Sequence, residues 1–297
     1  MFYCLPDLLK GILAISLYTL NTIFLTVPLI LFSLIKLCIP VRSVIVLVNR
    51  FLIRIATLWI GINAWNTRLF CRIDWDIRGL EQLKQKEWYL VVSNHQSWVD
   101  IVVLQTALNR KIPMLKFFLK KELIWVPFLG LAWWALDFPF MKRYTRQELE
   151  KKPHLKGKDI ESTRKACEKF KYTPVSVINF VEGTRFTAQK HARSDTGLAH
   201  LLPPKAGGIA FVLGSMGDYL HQIINVTIVY PGGIPTFWSF ISGRVKKIIV
   251  DFEIIPITED LKGDYFNDPA FKSTFFNWVN ELWQAKDKKI DRIKQGG

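Results

Sequence analysis

The segment SNHQSWVD, which begins at position 93, carries the residue types and spacing best suited to proton transfer. It follows the apolar segment WYLVV, so His95 is expected at the carboxyl end of a strand, where open α/β sheets place their sites. The residues that follow have the pattern of a helix with Asp100 near its start, so Asp100 is expected within reach of His95. A carboxylate on one imidazole nitrogen raises the basicity of the other, as a general base requires. The alternative is that Asn94 and Ser97 cap a helix and His95 is an ordinary polar loop residue.

A second polar turn, FVEGTR, begins at position 180 and also leaves an apolar strand at the same expected edge of the sheet. Its residues Glu182, Gly183, Thr184 and Arg185 combine an acid, a flexible glycine, a hydroxyl and a guanidinium. Arg185 can offer a phosphate two parallel hydrogen bonds, so the turn is a candidate anion cradle. Taken alone, such a turn is also compatible with a purely structural role, because turn-forming residues recur at strand ends.

The elements that would position these residues are those of an α/β domain. Helical stretches are expected at residues 99–108, 159–170, 207–213 and 271–293, and surface loops at 145–158 and 187–197. Nearly continuous apolar strands that alternate with helices predict a largely parallel sheet, buried on both faces and flanked by helices. The expected strands lie within residues 71–77, 88–93, 111–117, 136–141, 175–180, 223–229 and 246–255.

The N-terminal part of the chain has a different character, which predicts two units: membrane-embedded helices over residues 1–67 and the α/β domain over 68–297. Residues 11–35 contain no charge and are long enough to span a bilayer as a helix. Pro28 is expected to kink this helix or to break it into a re-entrant hairpin. The alternative is a buried core helix. No small-residue cleavage site of a signal peptide follows.

A second apolar stretch, residues 44–65, carries a basic stripe that includes Arg50 and Arg54. It suits the membrane interface, or a hairpin with the first segment in which the arginines reach outward. Because basic residues follow the first span, the positive-inside tendency predicts that the rest of the chain lies in the cytoplasm.

Composition points to an anionic surface as partner. Forty Lys and Arg against 25 Asp and Glu give a formal net charge of +15, and half of the residues are hydrophobic. Anionic lipid and nucleic acid both attract such a chain. The apolar N-terminus favours lipid, and no nucleic-acid motif accompanies the charge. The four cysteines show no C-x-x-C spacing, so no zinc site is expected and all four are interpreted as reduced.

Together, NHQSWVD and FVEGTR resemble the paired signatures of the glycerophospholipid acyltransferases, N-H-x-x-x-x-D and a P-E-G-T-R-like turn. The 1-acylglycerol-3-phosphate (lysophosphatidic acid) acyltransferase group is the most similar. The resemblance covers about residues 88–231 and includes DFPFMKR at 137–143. The blocks FTAQKH and LLPPKAGG resemble a branch with lysocardiolipin-type and proteobacterial inner-membrane enzymes. Val181 departs from the usual Pro, and NVT at 225–227 replaces a Pro-containing block.

The resemblance implies that His95 takes the proton of a lysophospholipid hydroxyl, which attacks the thioester of an acyl-CoA or an acyl carrier protein. Asp100 would hold the imidazole, and backbone N–H groups at the helix start would stabilise the oxyanion. Arg185 would bind the acceptor phosphate. The further implied binding residues are Arg143 and Lys205 as helpers, Glu182 holding Arg185 or its turn together with Gly183 and Thr184, and Asn94 and Ser97 holding the loop.

Neither a metal nor a bound cofactor is implied, and the resemblance places the enzyme in a bacterial inner membrane. The most similar group implies 1-acyl-sn-glycerol 3-phosphate as acceptor; lysophosphatidylglycerol or a lysocardiolipin-type lipid is the alternative. The apolar residues 123–138 could shape an acyl-chain groove or form ordinary core. A serine hydrolase would need a G-x-S-x-G elbow, which the sequence lacks. A non-catalytic membrane adaptor is the alternative from a different class.

Overall fold

The computed structural model describes residues 2–141, 168, 170, 173–194, 196–217 and 219–296. It contains an N-terminal helical hairpin and an α/β body. Most of the predicted helix at 159–170, the predicted loop at 145–158, Arg143 and Cys167 lie outside the described residues. The strands are β1 Asp74–Arg78, β2 Tyr89–Ser93, β3 Leu115–Phe117, β4 Leu119–Lys120, β5 Phe140–Met141, β6 Ser176–Phe180, β7 Gln222–Val229 and β8 Lys247–Pro256.

Six of these strands form the main sheet, in the order β1-β8-β7-β2-β6-β3. All neighbours in it are parallel except β7 and β8, which are antiparallel. The predicted fold class, a largely parallel sheet flanked by helices, is confirmed. Parallel pairing sends the carboxyl ends of β2, β6 and β7 to one edge of the sheet, so the residues that follow these three strands are brought together.

One predicted strand is largely wrong. Of residues 136–141, only Phe140–Met141 is extended, and it pairs with β4 in a separate two-stranded sheet. Leu136 ends a short helix, Leu129–Ala135, and Asp137 has a positive φ of 55°. Pro139 has no N–H to give to a sheet, which further disfavours a central strand there.

The helices cover both faces of the sheet. Along β2, Tyr89 and Val91 pack on one face while Leu90 and Val92 pack on the other, and all four are fully buried. This alternation is what two-sided burial requires. The helices are α1 Asp7–Cys38, α2 Arg42–Phe70, α3 Val99–Leu108, α4 Leu129–Ala135, α5 Ala188–Ala192, α6 Ala206–Met216, α7 Phe237–Ile241 and α8 Pro269–Gln295.

Helices α1 and α3 contribute to the first face, and α6 and α8 cover the second. The predicted boundaries of α3 are confirmed, and α8 extends two residues beyond the prediction at each end. The region 187–197, predicted as a loop, includes the short helix α5. Thr187 accepts a hydrogen bond from the Lys190 N–H and so caps that helix.

Helices α1 and α2 form an antiparallel hairpin. The Asn21 amide donates to Asn63 (2.8 Å), and the Tyr18 hydroxyl lies 2.7 Å from that of Thr67, so polar pairs join the middle of α1 to the C-terminal part of α2. α1 runs as one helix through Pro28, so the predicted break into re-entrant arms does not occur. Helix α2 continues to Phe70, past the predicted unit boundary at residue 67.

Both hairpin helices are long and apolar enough to cross a membrane, a property that core helices of soluble proteins and signal sequences can share. Only 22% of each candidate span is buried within the protein. Core burial therefore does not account for these apolar helices.

The hairpin is attached to the α/β body at both ends of α1. Asp7 pairs with Arg244 (3.1 Å) near the start of the helix, and Lys36 pairs with Asp137 (2.5 Å) near its end. Between them, Leu29 packs in one cluster with residues of α4. The helix therefore lies along the body and does not project from it.

Candidate active site

His95 lies in the loop between β2 and α3, at the carboxyl end of β2. Its Nδ1 is 2.8 Å from Oδ2 of Asp100, which occupies the first turn of α3. Asp100 is completely buried, whereas the His95 side chain keeps 13% exposure. Because Nδ1 is hydrogen-bonded to the Asp100 carboxylate, the imidazole is held in one orientation and Nε2 remains available to contact a substrate.

The same carboxylate oxygen accepts two backbone hydrogen bonds, from the N–H groups of Gln96 (2.5 Å) and Ser97 (2.8 Å). The Val99 N–H donates to the Ser97 hydroxyl (3.2 Å), and the Asp100 N–H donates to the Ser97 carbonyl (3.2 Å). These four N–H groups are engaged within the loop and the first turn of α3, and two of them meet the need of the buried carboxylate for donors. The oxyanion role expected of N–H groups at the helix start stays a prediction.

The second oxygen of Asp100 contacts a residue that the sequence analysis did not select. The Tyr230 hydroxyl donates to Oδ1 at 2.6 Å, and both side chains are buried. Burial raises the pKa of Tyr230 well above its ordinary value, and the charge of Asp100 raises it further. Tyr230 directly follows β7, as His95 closely follows β2, and this shared position is the signal that could have identified it.

Asn94 and Ser97 hold the loop against β7 and the segment after it. The Asn94 amide donates to the Ile228 carbonyl and accepts from the Ile228 N–H, both at 2.9 Å. The Ser97 hydroxyl donates to the carbonyl of Pro235 (2.5 Å). Both side chains are buried, so their contacts are those of loop anchors.

Glu182 connects the FVEGTR turn to the His95 loop. Its Oε1 accepts the His95 N–H (2.8 Å) and its Oε2 accepts the Leu202 N–H (3.1 Å). Of the two predicted roles, holding Arg185 or holding the turn, these contacts support the second. The carboxyl is 1% exposed, and burial raises its pKa to about 7 although the two N–H donors lower it.

Arg185 leaves the turn toward the His95 loop, where its guanidinium carbon lies 4.6 Å from the centre of the Trp98 ring. Gly183 has a positive φ of 66°, and a Cβ there would come within 2.9 Å of the Lys205 side chain. Lys190 donates to the Thr184 hydroxyl at 2.6 Å. Three cationic side chains, those of Arg185, Lys190 and Lys205, therefore lie at this turn. The predicted helper Arg143 lies outside the described residues.

His95 and Arg185 both line a cavity of about 760 Å³. The ring of Phe180 stacks on the imidazole, with centroids 3.9 Å apart. Lys120 and Thr184 add polar groups to the lining. Most of the remaining wall is apolar, formed by Phe117, Phe118, Leu123, Ile178, Phe180, Phe211 and Phe266.

The apolar segment 123–138 divides between the two predicted alternatives. Leu123 lines the cavity, as an acyl-chain groove would require. Ala132, Ala135 and Phe138 instead pack with the hairpin helices as core.

Both motifs lie within a part of the chain that matches a known family. The family model described as Acyltransferase matches residues 74–210. Over these residues the chain is similar to this acyltransferase family.

The similar curated proteins are 1-acylglycerol-3-phosphate acyltransferases. The chain is 26% identical to 1-acyl-sn-glycerol-3-phosphate acyltransferase gamma of Mus musculus, over 71% of the chain and 55% of that relative. Identity to the epsilon protein of Mus musculus is 24%, over 70% of the chain and 58% of the relative. Identity to the delta protein of Homo sapiens is 27%, over 68% of the chain and 52% of the relative. The chain thus spans little more than half the length of these curated relatives.

A crystal structure titled as the 1-acyl-sn-glycerophosphate (LPA) acyltransferase PlsC from Thermotoga maritima aligns with 92% of this chain and 98% of its own. The sequence identity is 17% and the TM-score is 0.45.

The raised pKa of Glu182 predicts a pH-dependent contribution to stability. A carboxyl whose folded pKa, about 7, exceeds its ordinary 4.5 stabilises the fold below pH 4.5 and loses that contribution as pH rises through 7. Glu182→Gln has no proton to lose. The unfolding free energy of the wild type minus that of Glu182→Gln should therefore decrease between these two pH values.

Denaturant unfolding of the detergent-solubilised protein at three pH values measures this difference. Glu259→Gln is the matched control, because that side chain is 88% exposed and should not change the pH dependence. Parallel curves for wild type and Glu182→Gln would show that Glu182 is not the titrating group.

Proposed function

We propose that this protein transfers a fatty acyl group from an acyl thioester to the free hydroxyl of a lysophospholipid. The observation that carries the proposal is the His95–Asp100 pair at a cavity that also holds the Arg185 guanidinium. A general base beside an anion-binding group and an apolar wall suits an acceptor with a phosphate and an acyl chain. The preferred acceptor is 1-acyl-sn-glycerol 3-phosphate, which would give phosphatidic acid, the reaction for which the curated relatives are named.

In the proposed reaction, Nε2 of His95 removes the hydroxyl proton while the oxygen attacks the thioester carbonyl. The new C–O bond forms, the C–S bond breaks, and the proton on the imidazole passes to the leaving thiolate. Asp100 stabilises the intermediate imidazolium through Nδ1, so no covalent acyl-enzyme is needed. The donor is either acyl-CoA or the thioester of an acyl carrier protein.

The phosphate of the acceptor is assigned to Arg185, with Lys205 and Thr184 beside it; Arg143, outside the described residues, stays a predicted helper. A guanidinium can fork onto phosphate with two hydrogen bonds, whereas an ammonium acts as a point charge. Lysophosphatidylglycerol and lysocardiolipin-type lipids share a phosphate and a free hydroxyl, and they are the alternative acceptors.

His95→Ala tests the reaction directly. Loss of a general base typically costs about 10²–10⁴-fold in rate, so turnover of lysophosphatidic acid should fall by that amount while expression and membrane recovery stay normal. The measurement is acyl transfer from a labelled thioester by purified protein. His221→Ala is the control, since His221 is exposed and lies just before β7, at the end of that strand opposite Tyr230. Near-normal turnover in His95→Ala would refute the general-base assignment.

Arg185→Lys tests the phosphate assignment. Because Lys keeps the charge and loses the fork, the KM for lysophosphatidic acid should rise while the KM for the acyl donor changes little. A charged hydrogen bond is worth roughly 1.5–3 kcal/mol, so kcat/KM should fall about tenfold to a hundredfold. Steady-state kinetics with each substrate varied measures this.

Two results would contradict that role for Arg185. An effect confined to the acyl donor would place the guanidinium on the donor side. An equal loss with monoacylglycerol, which has no phosphate, would make Arg185 a structural brace.

We further propose that the helical hairpin embeds the protein in the cytoplasmic leaflet of a bacterial inner membrane, with the catalytic body in the cytoplasm. At 1.5 Å per residue, the 32 residues of α1 extend about 48 Å. Its two ends pair with Arg244 and Asp137 of the same body. A helix that crossed the bilayer along its length would carry one of these contacts away from the body, so an immersed hairpin fits better.

The natural cysteines test this topology, because Cys4 and Cys38 are exposed thiols at opposite ends of α1. Variants that retain only one of them should both react with an impermeant maleimide in inverted vesicles and neither in intact spheroplasts. Mass-tag gel shifts measure the labelling, and detergent-permeabilised samples are the control. Labelling of the two thiols from opposite sides would mean that α1 crosses the bilayer.

A further inference from the structure

Tyr230 is the buried hydroxyl that completes the set of donors around Asp100. Its Oη lies 2.6 Å from Oδ1, while the His95 ring nitrogen and two backbone N–H groups share Oδ2. Oδ1 has no other donor among the hydrogen bonds of the described residues. Since Asp100 is fully buried, the Tyr230 hydroxyl supplies the partner that this oxygen cannot obtain from water.

We propose that Tyr230 is a positioning residue for the proton-transfer pair, fixing the Asp100 carboxylate so that Oδ2 faces Nδ1 of His95. This inference rests on the proposed function, because it assumes that His95 is the general base. A carboxylate can rotate about its Cβ–Cγ bond, and donors on both oxygens fix that rotation. A donor on Oδ1 also draws negative charge away from Oδ2 and so moderates the basicity of His95.

The chain segment that carries Tyr230 is built to hold this geometry. Two residues before it, Ile228 makes paired hydrogen bonds with Asn94, and five residues after it the Pro235 carbonyl accepts from Ser97. β7 and its extension therefore hold the His95 loop at three places. The Tyr230–Asp100 contact is one of these three and the only one of them that reaches an ionisable group.

Within the described part of the chain, the titratable groups that act on Asp100 come from three elements. They are His95 of its own loop, Tyr230 after β7, and Glu182 of the turn after β6, whose charge interacts with that of Asp100. Tyr230 is the one of the three that can be altered without removing the general base or the bridge to its backbone.

Tyr230→Phe removes the hydroxyl and keeps the ring. The kcat should fall about tenfold to a hundredfold with little change in either KM, because a hydrogen bond to a charged group is lost and no substrate contact is. Without the Tyr donor, Asp100 attracts the His95 proton more strongly. The acid limb of the kcat/KM profile should move upward by about half a pH unit or more, which a purely structural role would not produce.

Tyr89→Phe is the matched control. Tyr89 is a fully buried tyrosine at the start of β2, and its hydroxyl accepts the Lys84 N–H at the other end of the sheet. Tyr89→Phe also removes a buried hydroxyl, but one that does not contact Asp100. This variant should therefore keep the wild-type pH profile.

A second variant keeps the proposal testable if Tyr230→Phe fails to fold. 3-Fluorotyrosine incorporated at position 230 keeps the hydroxyl and makes it a stronger donor, so the acid limb should move to lower pH. Opposite shifts for the two variants support the proposal. An unchanged profile with the fluorinated residue, or wild-type kcat and profile in Tyr230→Phe, would overturn it.

The parallel His95→Ala assay separates the two possible failures. If His95→Ala is inactive and Tyr230 variants behave as wild type, the positioning role is wrong and the proposed function stands. If His95→Ala retains turnover, the proposed function itself fails.

Discussion

The carboxylate of Asp100, held away from water, is the constraint on which the site depends. A buried carboxylate without partners is strongly unfavourable, so the surrounding chain must supply donors. Four groups do so: the His95 imidazole, two N–H groups of the loop and the Tyr230 hydroxyl. The strand-to-helix turn and the end of β7 have to converge on one point to provide them. This requirement ties the local geometry of the loop to the register of the sheet.

A second buried carboxylate carries the constraint outward from His95. Glu182 joins the His95 backbone to that of Leu202, and the indole of Trp283 in α8 donates to the Leu202 carbonyl (3.0 Å). Four residues along α8, Asp287 accepts the N–H groups of Ala199 and His200. Helix α8 thus holds the segment around Leu202, and that segment holds the Glu182 turn. Through Glu182 the same contacts support the backbone of the His95 loop.

Contacts of the site between residues close together in the sequence could be predicted, and contacts between distant residues could not. His95 and Asp100 are five residues apart, so a strand followed by a helix was enough to predict their approach. Tyr230 lies 130 residues from Asp100, and the partners of Glu182 depend on how β6 and β2 align. Nearly continuous apolar runs predicted most strands of the sheet. The prediction failed at residues 136–141 because hydrophobic content alone does not distinguish a strand from a helix end and its turn.

The placement of the cavity relative to the hairpin follows from the same packing. Phe117 and Leu123 line the cavity, and both also pack against the cluster in which Leu29 of α1 and Leu52 of α2 meet α4. Apolar side chains therefore connect the buried face of the hairpin to the wall of the cavity. For the proposed acceptor this arrangement separates the two ends of the molecule. The acyl chain can stay in an apolar environment while the phosphate meets Arg185, so the free hydroxyl between them is brought to His95 without passing the whole lipid through water.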